Sequence, residues 1–113
     1  MEEFNAVLQP IESARGLPKS CYTDPATFEK ETKRIFAANW AAIGFGIDVP
    51  KPGCVNPVSF LVIPLVVVCG RSGKIKVFEN VCRHRGMILI EEAERLSGPI
   101  TFRYHAWAYD LDG

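Results

Sequence analysis

The spacing of apolar residues along the chain changes near residue 44. Before that point, in "TDPATFEKETKRIFAANW", Phe28, Thr32, Ile35, Phe36 and Trp40 recur at helical intervals and form one stripe. Thr23 or Asp24 stands where a cap belongs, and Pro25 takes the first helical position, where its missing N–H does no harm. Glu29 and Lys33 can pair across one turn on the outer face. The spacing predicts a helix over residues 25–39, preceded by a polar arm over 1–22 that Pro10, Gly16 and Pro18 interrupt.

After "GFG" (44–46) the runs are short and divided by Gly and Pro. "DVPKPGC" reads as a turn, "VSFLVI" and "PLVVVC" as β-branched strands, and "GRSGK" as a hairpin turn into "IKVFENV". A further strand pair is expected in "PITFRY" and "AWAYDL". The fold class expected is mainly β and antiparallel with one helix in front: an N-terminal arm and helix over 1–43, then a β domain over 44–113. Asp112-Gly113 is a hairpin-turn signal with no strand after it, so the chain is expected to be a piece of something longer.

Composition narrows the class of function. The 113 residues suffice for one domain, and 48% hydrophobic with 23% charged residues is globular. Thirteen basic and thirteen acidic side chains cancel, which gives no reason to expect a nucleic-acid or anionic-membrane partner. "MEEFNAVLQP" is acidic and no signal peptide, and "FLVIPLVVVC" is too short to span a bilayer and carries Pro64. A cytoplasmic location is expected. The cysteines at 21, 54, 69 and 82 are irregularly spaced and read as reduced thiols, Cys21 and Cys54 in loops and Cys69 in a core strand. Trp40 reads as a core aromatic, and so does Trp107 unless it packs beside the second loop.

The chemistry concentrates in two short stretches. "CRHRG" places Cys82 and His84 around one residue, and "FRYHAW" places His105 three residues after Phe102. The intervening segment is long enough for the two loops to face each other at one end of a β domain. Thiolate and imidazole together suit zinc, copper or an iron–sulfur centre, and Cys82, His84, His105 and a water would make a workable zinc set.

Taken whole, "CRHRG" with "FRYHAWAYDLDG" resembles the Rieske motif of ring-hydroxylating and related Rieske non-haem iron oxygenases, choline-monooxygenase-like enzymes included. The likeness spans residues 16–113 and implies a Rieske-like antiparallel β-sandwich with two cluster-binding loops. In that family two cysteines hold one iron of a [2Fe–2S] cluster and two histidines the other; neutral imidazoles in place of thiolates raise its potential. The resemblance implies that Cys82 binds the first iron, and His84 and His105 the second. It also implies electrons arriving from a reductase or ferredoxin and leaving to a mononuclear iron in the catalytic domain of a neighbouring subunit, within a homo-oligomer. Aromatic and quaternary-amine substrates both fit, and the ligands of that catalytic iron would lie beyond Gly113. Phe102 departs from the motif: a benzyl ring stands where the second cysteine belongs and cannot donate to iron. Ala106 stands in place of a frequent glycine. A cluster-free structural or interaction β domain and the zinc site just described are the alternatives. Arg85, beside a ligand histidine, is a candidate docking residue.

Overall fold

The computed structural model describes residues 4–113 and separates into two compact units, one running to Ala41 and the other from Ala42 to Gly113. In the first unit a short helix, α1 (Ser20–Thr23), gives way to α2 (Pro25–Glu31). Asp24 is the cap between them: its carboxylate accepts from the Ala26 N–H at 3.1 Å and from the Thr27 hydroxyl at 3.0 Å. Pro25 follows at the first helical position, and Lys33 meets Glu29 at 2.6 Å as their spacing requires.

Three expectations for this region need correction. The helix does not stay α-helical to residue 39; Thr32–Phe36 widen into a π-turn closed by the Ala37 N–H on the Thr32 carbonyl at 2.9 Å. Nor does the stripe make a core, for Phe28 and Ile35 are more than half exposed and Trp40 fully so. Cys21 lies in α1 rather than in a loop.

The second unit is built on a four-stranded antiparallel sheet in the order β3-β2-β1-β4, from β1 (Cys54–Phe60), β2 (Ile63–Cys69), β3 (Ile75–Glu79) and β4 (Glu94–Arg95). β2 is central, and its two faces pack against different groups. Val66 and Val68 join Val55, Ile90, Ile100 and Leu111 on one side, while Val67 and Cys69 join Val49 on the other. Burial on both faces is why its sequence runs apolar without alternation. A second sheet pairs β5 (Ile100–Thr101) with β6 (Ala108–Tyr109), and Ile100 and Leu111 carry it into the first core group. Two sheets sharing one core make the expected sandwich.

"VSFLVI" is not one strand. β1 ends at Phe60 and β2 starts at Ile63, with Leu61 and Val62 as a two-residue turn between them. Leu61 sits at φ 58° and Val62 is exposed. Cys54, expected in a loop, opens β1. Ahead of it Gly53, at φ 89°, is required by more than its backbone angle: a Cβ there would run into the carbonyl oxygen of Leu96, whose N–H in turn donates to the Gly53 carbonyl at 2.9 Å. Among the described residues no helix is long and apolar enough to cross a membrane.

Candidate metal centre

Between β3 and β4, and again between β5 and β6, the chain makes a loop of the same design. In the first, the Cys82 N–H donates to the Met87 carbonyl at 2.7 Å, and the Gly86 N–H to the Cys82 carbonyl at 2.8 Å. In the second, the Phe102 N–H donates to the Trp107 carbonyl at 2.7 Å, and the Ala106 N–H to the Phe102 carbonyl at 3.1 Å. Each loop is thus closed by bonds from its first residue to the sixth and from its fifth back to the first. Each also turns through a left-handed residue at the fifth place, Gly86 at φ 68° and Ala106 at φ 53°. By this correspondence Phe102 is the structural counterpart of Cys82.

The first loop is braced at its base. The buried Asn80 side chain donates to the Ile90 carbonyl at 2.7 Å and accepts from the Ile90 N–H at 2.9 Å, while Val81 bridges to Ile88 inside that clamp. Tyr109 ties the loop to β6: its hydroxyl shares a hydrogen bond with the Cys82 sulfur at 3.4 Å and accepts from the Arg83 N–H at 3.0 Å. Neither Asn80 nor Tyr109 stood out as a loop support in the sequence. The signal for Asn80 is a carboxamide closing the apolar strand "IKVFEN".

Cys82 is wholly enclosed. Burial pushes its thiol up, but hydrogen bonds from the Tyr109 hydroxyl and the backbone N–H groups of His84 and Arg85 favour the thiolate and bring it below its ordinary range. The same Cys82 contact, with burial, raises the Tyr109 phenol. His84 and His105 meet edge to face with ring centroids 4.7 Å apart, and Trp107 stacks on His84 at 5.5 Å and 13°. Trp107, half-exposed, is thus a wall of the loop tip rather than a core residue. Nδ1 of His84 is buried and has no hydrogen-bond partner among the described residues. An orphaned buried nitrogen of this kind costs about 1–3 kcal/mol unless a ligand takes its lone pair.

The fourth place is closed to metal. Phe102 is 5% exposed, its ring 5.6 Å from that of Tyr104 and 6.5 Å from that of His105. The structure therefore brings the two histidines together, with the enclosed Cys82 sulfur and a buried phenyl ring starting the two loops. Among the described residues, no group of three or more His, Cys, Asp or Glu side chains is close enough together to hold one ion. Arg85 is exposed at the loop tip.

A sequence profile of the Rieske [2Fe–2S] domain matches residues 39–113. The glycine betaine monooxygenase oxygenase subunit of Chromohalobacter salexigens is 36% identical over 107 residues, covering 95% of this chain and 24% of that subunit. The biphenyl 2,3-dioxygenase subunit alpha of Rhodococcus jostii is 39% identical over 92 residues, covering 81% and 20%. Among solved structures, the quaternary ammonium Rieske monooxygenase CntA superposes with a TM-score of 0.81 at 33% identity, over 88% of this chain and 28% of its own. The chain spans about a quarter of the length of these relatives.

Proposed function

The chain belongs to the Rieske [2Fe–2S] domain family, and from that membership we propose that it is the electron-transfer module of an oxygenase that hydroxylates an aromatic or quaternary-amine substrate. The observation that carries the reading is the pair of matched loops with His84 and His105 ring to ring at their tip. On this reading Cys82, His84 and His105 are the surviving ligands. The exposed edge around Arg85, Tyr104 and Trp107 is where a reductase or ferredoxin, and the catalytic domain of a neighbouring subunit, would dock.

The family's cofactor is a [2Fe–2S] cluster held by two cysteines and two histidines. The orphaned Nδ1 of His84 and the thiolate-favouring bonds at Cys82 fit that donor set. Phe102 does not. Its buried ring offers no lone pair and fills the place from which the second thiolate would reach. This chain therefore supplies three of the four donors. That one misfit favours a second reading, in which the domain keeps the fold and the docking tip without the cluster.

Iron–sulfide reconstitution of the chain and of Phe102→Cys, read by visible absorption and by electron paramagnetic resonance after reduction, separates the two. The unaltered chain should stay nearly colourless, which assigns it the cluster-free reading as it stands, and Phe102→Cys should gain the Rieske spectrum, which restores the electron-transfer one. A stoichiometric cluster in the unaltered chain would overturn the donor argument and with it the cluster-free reading. A folded Phe102→Cys chain that takes up no iron would overturn the electron-transfer reading and leave the cluster-free one.

A further inference from the structure

Two thiols outside the candidate centre lie at adjoining ends of neighbouring strands, Cys54 opening β1 and Cys69 closing β2. The β1–β2 ladder ends with Val55 opposite Val68, and the next residue along each strand is a cysteine. The N–H of Gly53 donates to the Cys69 carbonyl at 2.9 Å, so Gly53 and Cys54 together oppose a single residue. This is a bulge with its glycine in the left-handed place. Packing agrees with register: Cys54 lies against the group of Val49, Val67 and Cys69, on the face of β2 turned away from the main core.

Residues directly opposed on antiparallel strands hold their Cβ atoms about 4.5–5.5 Å apart, and a disulfide needs about 3.5–4.5 Å. A bulged strand end, where the regular ladder has stopped, is where the backbone can yield that difference. The two sulfurs also differ in access, since Cys69 is buried and Cys54 is not.

We propose that Cys54 and Cys69 are a redox-active thiol pair that a hydroperoxide converts into an intrachain cross-strand disulfide. The Cys54 sulfur attacks the peroxide oxygen; an S–O bond forms, the O–O bond breaks, and the departing alcohol or water carries away the thiol proton. The Cys69 sulfur then attacks the Cys54 sulfenic acid; an S–S bond forms, the S–O bond breaks, and water leaves with the second thiol proton. Two thiols give two electrons, and the peroxide receives them. The product ties β1 to β2 at the point where Leu96 N–H holds Gly53, fastening the strand that also carries β4.

The test is made on the full chain in a Cys21→Ser background, which removes the thiol of the first unit. Stoichiometric hydrogen peroxide is followed by alkylation and peptide mapping without reductant. Two of the three remaining thiols should disappear, the linked peptides should contain Cys54 and Cys69, and dithiothreitol should restore both. Cys69→Ser should stop at a Cys54 sulfenic acid that dimedone traps, and Cys69→Val provides the same arm if serine disturbs the core. Cys54→Ser should leave Cys69 untouched by the same dose. A linkage through Cys82, a Cys54 sulfenic acid that persists while Cys69 is present, or no thiol loss in the folded chain would each overturn the proposal.

Discussion

Replacing Asn80 by alanine should loosen the first loop and destabilise the β unit by an amount the structure allows one to work out. The substitution removes two side-chain hydrogen bonds, at 2.7 and 2.9 Å, from a residue only 2% exposed. Each such bond contributes about 1 kcal/mol net. Both partners are main-chain atoms of Ile90, itself 4% exposed, so a donor and an acceptor would be left without partners, at about 1–3 kcal/mol for a group that no water reaches. The orphan penalty already contains the lost bonds, so the two groups together cost roughly 2–6 kcal/mol, a large part of the ~5–15 kcal/mol a domain possesses. With a urea slope of about 2 kcal/mol per molar, the midpoint should fall by roughly 1–3 M. Urea melts followed by circular dichroism, with the slope held free, measure this directly. Amide exchange should also quicken from Val81 to Ile90 before it quickens in β2. A midpoint that moves by less than about 0.3 M would refute the reasoning, because a side chain that clamps the loop cannot be removed at so small a cost.

Two further outcomes follow from local backbone chemistry. Ala106→Gly should stabilise the chain by about 0.5–1 kcal/mol, because the left-handed angle costs an L-residue roughly 1–2 kcal/mol and glycine returns about half of that as chain entropy; a lower melting temperature would contradict the strain. The Asp24 carboxyl lies below its ordinary 3.8, first through the Ala26 backbone N–H and then through the Thr27 hydroxyl. Its contribution to the α2 cap is therefore complete above pH 3.8 and lost as pH falls through the lower folded value. Exchange of the Ala26 and Thr27 amides should accelerate in that acid window, and Asp24→Asn, which caps without titrating, should abolish the dependence.

What could be read from the sequence depended on whether a signal was local. Asp24-Pro25 fixes the start of α2 because a cap and a restrained φ act within one turn. The stripe from Phe28 to Trp40 spells a helix correctly, but periodicity reports only that a face is apolar, and these side chains are exposed within this chain. The turn at Leu61-Val62 left no trace because neither residue belongs to the usual turn set, so an unbroken apolar run concealed two strands. Cys82, His84 and His105 stood out by spacing, and so did the anomaly at Phe102. The Asn80 clamp, the bond from Tyr109 to the first loop and the adjacency of Cys54 and Cys69 did not, since each acts through register or through partners ten or more residues away.

The two matched loops keep their shape through main-chain bonds that no side chain supplies. Their first residue can consequently change without the backbone losing its path. Cysteine and phenylalanine codons differ at a single middle base. A lineage carrying this loop is therefore one transversion away from exchanging a benzyl ring for a thiol, so the genetic barrier to reversing the change at position 102 is as low as a coding change allows.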